Sequence, residues 1–252
     1  MKANDENKVL AVWGSPGCGK TTVSAKIAKY VSGRKKNTIL LCCDTDAPPL
    51  PLLLPPSDIE SEQSVGSILA AARISDNLIM QNLITVKKNA YISVLSMLKG
   101  ENQYSYPKYT QKQAQELIEH LKNIADFVII DCGSHISDDV LSTVALMESD
   151  CVLRLINCDL KSISYLSSQL PLLVDKKFRA DKQIRVANDV KSIHSGENIE
   201  QVLGGVTFTL PHTEHVENQY LAGELLKDLC TNKETKQFRK TIGAIAEEVF
   251  EL

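Results

Sequence analysis

The chain has 252 residues, 43% of them hydrophobic, and a formal net charge of -3. That length and apolar content allow a sizeable buried core, and the charge balance excludes a strongly basic nucleic-acid binder. No apolar run approaches the ~20 residues needed to span a bilayer. The polar start, Met1 to Lys8, holds no signal-peptide segment, so a cytoplasmic protein is expected. The seven cysteines are odd in number, with no C-x-x-C pair, and read as reduced, core-filling thiols.

The first element in chain order is the apolar run Val9 to Trp13, a buried strand by its composition. Gly14, Ser15, Pro16, Gly17, Cys18, Gly19, Lys20 and Thr21 follow, and match G-x-x-x-x-G-K-[ST]. The glycines let the backbone curl and turn its N–H groups inward, as a phosphate requires. Lys20 supplies a mobile charge for β and γ phosphates. Thr21 offers a hydroxyl to magnesium. Val23, Ile27, Ala28 and Val31 then recur at helical spacing, and Gly33 stops the helix.

A second strand is expected over Thr38 to Cys43. Five prolines between Ala47 and Ser57 exclude a regular helix or a central strand there. Further strands are expected over Tyr91 to Leu95, Phe127 to Ile130, Cys151 to Ile156, Gln183 to Ala187 and Gly205 to Leu210. Helices are expected over Gln111 to Ile124, Ser162 to Val174 and Glu217 to Leu229. This alternation predicts an α/β fold, a mainly parallel sheet with helices on both faces, in one domain over residues 1–252.

Ligands of open α/β sheets sit beyond the carboxyl ends of the strands, and two acidic sites fall there. Asp131 ends the most apolar strand and has the form of a Walker B aspartate that would hold magnesium. Asp44 and Asp46 end the second strand, two residues apart, so both can face one site. Turn chemistry before Pro48 is the competing role for the pair. Asp138 and Asp139 look like a helix start. The five histidines are scattered without metal-ligand spacing and read as surface residues.

Taken together, these residues resemble the MinD/ParA-type ATPases of the signal-recognition-like P-loop class, over nearly the whole chain. The matching features are the loop Gly14 to Thr22, Asp44-Thr45-Asp46 and Asp131. Asn188 stands where the family has an adenine-contacting asparagine. Leu210-Pro211-His212, leading to Gln219 to Gly223, stands where the family has a proline loop and a helix that close over the base. The resemblance implies ATP with Mg2+ as ligand. It places Asp46 at the attacking water, Lys20 on the phosphates, and Thr21, Asp44 and Asp131 around the metal. Gly14 to Thr22, Asn188 and Pro211 would line the nucleotide.

One departure matters. Ser15 stands where the family carries a signature lysine, which reaches across a homodimer to the partner's nucleotide. A neutral hydroxyl cannot supply that charge at the transition state, so slow hydrolysis is expected. Any ATP-linked dimer should then depend on other protein contacts. The departure resembles the atypical branch with the CpaE/TadZ proteins of Flp-type (Tad) pilus assembly. The resemblance thus implies a nucleotide-switch ATPase that positions or assembles a machine such as a pilus or secretion apparatus, with that machine's proteins as partners. Two alternatives stand beside it. One is a P-loop kinase acting on a small molecule, disfavoured because Arg34, Arg73, Arg154, Arg179, Arg185 and Arg239 are spread out. The other is a nucleotide-binding scaffold with little turnover.

At the carboxyl end, Phe238, Ile242, Ile245, Val249 and Phe250 form a helical apolar stripe. Relatives of the MinD type end in a membrane-binding helix, which would recruit the protein to the inner face of the membrane. Here Glu247, Glu248 and Glu251 would be repelled by anionic lipid, so packing on the domain or a partner is favoured.

Overall fold

A computed structural model of the chain describes residues 8–60, 62–194 and 204–252. Among the described residues, eight strands make one sheet: β1 (Val9–Gly14), β2 (Thr38–Cys42), β3 (Ile84–Thr85), β4 (Ile92–Leu95), β5 (Phe127–Asp131), β6 (Cys151–Asn157), β7 (Gln183–Val190) and β8 (Phe208–Pro211). Their order is β3-β4-β2-β5-β1-β6-β7-β8, parallel throughout except for β3, which runs antiparallel to β4. The near-continuous apolar sequences of β1, β2 and β5 are those of strands covered on both faces, and all their residues are buried.

Alternate side chains feed two cores. Leu10, Val12, Leu40, Ile129 and Leu153 enter one; Val9, Ala11, Trp13, Leu41 and Ile130 enter the other. The first core is covered by α1 (Lys20–Ser32) and the carboxyl-terminal helix α9 (Lys233–Phe250). The second is covered by α5 (Gln111–Ile124), α6 (Val140–Glu148) and α7 (Leu160–Gln169). Helix α5 starts where expected because Thr110 and Gln113 form a capping box. The expected α/β architecture, with helices on both faces, is therefore the observed one.

The apolar stripe of α9 faces the sheet. Phe238, Ile242, Ile245, Val249 and Phe250 are all buried, and the Phe250 ring lies 4.6 Å from that of Phe127. Tyr30 of α1 donates to Glu247 at 2.9 Å, fixing the acidic face of the helix beside α1. Packing on the domain is thus the arrangement of this stripe. Among the described residues, no helix is long and apolar enough to cross a membrane.

Several local expectations need correction. The proline-rich segment contains an α-helical turn, α2 (Leu50–Leu53), because Pro51 at its start needs no donor there, and it ends in a 3₁₀ turn over Pro56–Asp58. The helix expected to run to Val174 stops at Gln169 and continues as a 3₁₀ turn over Leu170–Leu173, where Pro171 removes a donor. The one expected over Glu217 to Leu229 is α8 (Glu214–Leu221); Thr213 caps its start and Gly223, at φ +69°, reverses the chain after it. The last strand begins at Phe208, three residues later than expected. Two short helices, α3 (Val65–Leu69) and α4 (Asp76–Asn82), capped by Ser64 and Ser75, were not anticipated. The polar start, residues 1–7, lies outside the described residues.

Candidate functional site

The phosphate-loop motif connects the central strand β1 to the amino terminus of α1. Gly17 and Gly19 adopt φ +73° and +85°, the left-handed region that glycine enters without strain. Gly14 has a different constraint: a Cβ there would collide with the Leu155 carbonyl of β6. Among the described residues, no side chain caps the start of α1, so its first N–H groups face the space inside the loop, as an anion site requires. Pro16 and Gly17 are exposed, while Cys18 is buried beneath the loop. Thr22 lies half-buried in the first turn of α1.

Register explains the position of Asp131. It pairs with Val12 of β1 and Cys42 of β2, so its side chain emerges where the phosphate loop begins. The Thr21 hydroxyl donates to its Oδ2 at 2.6 Å, while Oδ1 is buried with no hydrogen-bond partner among the described residues. Burial pushes the Asp131 carboxyl up to about 7; the Thr21 hydrogen bond and the Lys20 charge pull it down, and Asp44 pushes it up. A buried carboxylate oxygen without a partner, beside a hydroxyl at 2.6 Å, is a donor set that fits magnesium.

Lys20 points back across the loop. Its ammonium donates to the Ser134 hydroxyl at 2.7 Å and to the Ser15 carbonyl at 3.3 Å. Ser134 follows Asp131-Cys132-Gly133 in the segment after β5, and its carbonyl accepts from the Tyr165 hydroxyl of α7. The Ser15 side chain is buried and bonded to Ser162, also on α7. Asp44 acts as a turn residue: its Oδ1 accepts from the N–H groups of Asp46 and Ala47, at 3.0 and 2.9 Å. Asp46 is exposed.

Asn188, at the end of β7, is buried, and its amide donates to the Cys18 carbonyl at 2.8 Å. Its side chain therefore braces the phosphate loop, a role the sequence did not suggest. Asn157 does the same from β6, donating to the Gly17 carbonyl at 3.3 Å. Pro211 ends β8 opposite Val190. His212 is half-buried, with Nδ1 2.6 Å from Asp189 and Nε2 3.7 Å from Glu217, so it is more than a surface residue. Asp139 caps α6, as its sequence context predicted. Cys42, Cys43, Cys132 and Cys151 are free and buried, as expected of core-filling thiols.

The segment after α8 is tied to α1. The buried Lys26 ammonium donates to Gln219, to the Leu225 carbonyl at 2.7 Å and to the Lys227 carbonyl at 3.3 Å. Leu225 N–H donates to the Leu52 carbonyl of α2 at 3.1 Å. The phosphate-loop helix, the segment after β2 and the segment after α8 thus form one packed unit.

A phosphate loop between the central strand of a parallel sheet and a helix, with a hydroxyl and a buried carboxylate meeting beside it, defines the P-loop class of α/β proteins. A family model described as "AAA domain" matches residues 8–185, and the chain belongs to that family. A comparison with curated proteins finds no match. Solved structures of similar fold include a ParA family ATPase from Chlorobium tepidum TLS, at TM-score 0.76 and 18% identity, covering 95% of this chain and 98% of that one. MinD from Pyrococcus horikoshii OT3, a septum site-determining protein complexed with Mg-ADP, has TM-score 0.70 and 17% identity, covering 96% and 95%. The MinC:MinD cell division protein complex of Aquifex aeolicus has TM-score 0.72 and 17% identity, covering 97% and 96%. The fold is that of the MinD/ParA-type P-loop ATPases.

Proposed function

We propose that this chain binds ATP with Mg2+, hydrolyses it slowly, and acts as a nucleotide switch that positions or assembles a larger protein machine. The observation that carries the reading is the Thr21–Asp131 contact at 2.6 Å beside the buried, unpartnered Asp131 Oδ1. Those two groups, with Asp44 near them, would hold the metal, which supplies charge neutralisation at the phosphates. Lys20 would leave Ser134 and the Ser15 carbonyl to pair with β and γ phosphates. Gly14 to Thr22 would cradle them, with Asn188 and Pro211 toward the base. Asp46, exposed at the mouth, would orient the attacking water. The Mg-ADP held by the Pyrococcus MinD supports the choice of ligand.

Slow turnover follows from Ser15. Its hydroxyl is occupied inside its own chain and is neutral, so it contributes no positive charge to the γ-phosphate. The same feature favours a second reading, a nucleotide-binding scaffold with little hydrolysis. The Aquifex MinC:MinD complex supports a partner-protein role. A pilus or secretion apparatus is the partner machine suggested by the Ser15 departure.

The test is a hydrolysis assay run beside light scattering with ATP, ADP and no nucleotide. Weak turnover with a nucleotide-dependent change of size is expected. Asp46→Ala should keep ATP affinity within a few fold and lose the turnover, as an interaction made only in the transition state does. Rapid turnover by a strictly monomeric protein would instead indicate kinase-like chemistry.

A further inference from the structure

Among the described residues, Lys20 has two hydrogen-bond acceptors, and helix α7 holds both residues that supply them. The shorter bond, at 2.7 Å, goes to the Ser134 hydroxyl, and the longer, at 3.3 Å, to the Ser15 carbonyl. Ser162, in the first turn of α7, bonds the Ser15 side chain at 2.9 Å. Tyr165, three residues on and so on the same face of the helix, donates to the Ser134 carbonyl.

The two grips differ in kind. Ser15 is also fixed by the phosphate loop itself, since its carbonyl accepts from Cys18 N–H at 3.2 Å. Ser134 lies between β5 and α6, outside any helix or strand. Its hydrogen bonds among the described residues are those with Lys20 and Tyr165. Tyr165 is therefore what anchors it. Burial pushes the Tyr165 hydroxyl up to about 12, so it keeps its proton and stays a donor at neutral pH. Its ring lies 6.0 Å from that of the buried Trp13, which leads directly into Gly14.

A lysine ammonium is a point charge on a flexible stem, so it can swing between acceptors. A bond from a charged donor at 2.7 Å is of the strong kind. Phosphate oxygens in the loop must compete with the Ser134 hydroxyl, because the ammonium has to turn from one toward the other.

We propose that α7 is a latch on the phosphate loop: Tyr165 anchors Ser134, and Ser134 holds Lys20 back from the phosphates until a triphosphate takes the ammonium over. The latch regulates the ATP site proposed above and rests on that reading. By linkage, whatever loosens Ser134 tightens phosphate binding, and phosphate binding loosens Ser134 by the same factor.

The test is calorimetric titration of a non-hydrolysable ATP analogue with Mg2+ into the full chain, Tyr165→Phe and Ser134→Ala. Tyr165→Phe keeps the ring beside Trp13 and removes only the hydroxyl. Each variant should bind about three- to tenfold more tightly than the natural chain, as loss of one competing hydrogen bond to a charged group predicts. The double variant should gain no more than Ser134→Ala alone, since both act through one contact. General damage to the site would weaken binding, so a gain separates the latch from a merely structural role. Trp13, the single tryptophan, gives a second readout. Its fluorescence should change saturably with the analogue in the natural chain and much less in Ser134→Ala. Unchanged or weaker binding by either single variant, or an equal fluorescence change in Ser134→Ala, would overturn the latch and leave the ATP site standing. No binding to the natural chain would overturn the ATP site and the latch together.

Discussion

The Ser15 hydroxyl donates to the Ser162 hydroxyl at 2.9 Å, joining the phosphate loop to the first turn of α7 across 147 residues of sequence. Both side chains are buried. The Ser15 side chain is thus turned inward and held. Replacing Ser15 by lysine alone would force an ammonium into that buried contact and should destabilise the protein. Ser15→Lys with Pro16→Gly gives the loop freedom to redirect the side chain. That double variant should form an ATP-dependent dimer more strongly than the natural chain, and light scattering with and without ATP reads it. No change in dimerisation or in hydrolysis rate would mean that Ser15 is not what limits either.

Asn188 is expected to matter for phosphate binding as well as for the base. Its amide holds the Cys18 carbonyl at 2.8 Å, and its removal leaves that carbonyl without this donor. Asn188→Ala should cost about 1–3 kcal/mol of stability. It should also weaken pyrophosphate and ADP by similar factors in calorimetric titrations. A variant that loses ADP affinity and keeps pyrophosphate affinity would restrict Asn188 to reading the base.

Asp131 predicts a pH dependence. Its carboxyl is pushed up by burial to about 7, from 3.8. Between those values the folded chain holds the proton while the unfolded chain has released it. The stability this gives is full below the unfolded value and is lost as pH rises through about 7. Asp131→Asn should remove that slope from denaturant midpoints measured without metal. Magnesium–nucleotide affinity should run the other way in the natural chain, rising between about pH 6 and 8 as the carboxylate forms. It should stay weak throughout in Asp131→Asn. A natural chain whose magnesium dependence ignores pH across this window would contradict the role of Asp131.

The parts of this molecule legible in the sequence were those encoded locally. The run Val9 to Trp13, the motif Gly14 to Thr21 and the apolar face of α1 lie within one stretch, so strand, loop and helix could be read together. Asp131 was legible because four apolar residues lead directly into it. The brace from Asn188 to Cys18 and the contact from Ser162 to Ser15 were not, because only the order of β1, β6 and β7 in the sheet makes them neighbours. The end of α8 was misjudged because Leu225, Leu226 and Leu229 continue a helical pattern. Gly223 wins there by taking a positive φ, against the Pro51 carbonyl that would meet a side chain at that position. The short helices α3 and α4 offer too few turns for periodicity to register, although Ser64 and Ser75 were available as caps.

The central claim is that the loop around Lys20 holds a nucleotide triphosphate with magnesium. The most direct test is equilibrium titration of a fluorescent ATP analogue, with Mg2+, into the natural chain and into Lys20→Ala. Lys20 now spans 2.7 Å to Ser134 and 3.3 Å to the Ser15 carbonyl, so its loss should remove most of the binding without disturbing either core. Saturable binding to the natural chain and loss of most of it in Lys20→Ala is the predicted result. Equal affinity in the two proteins would contradict the assignment of this loop.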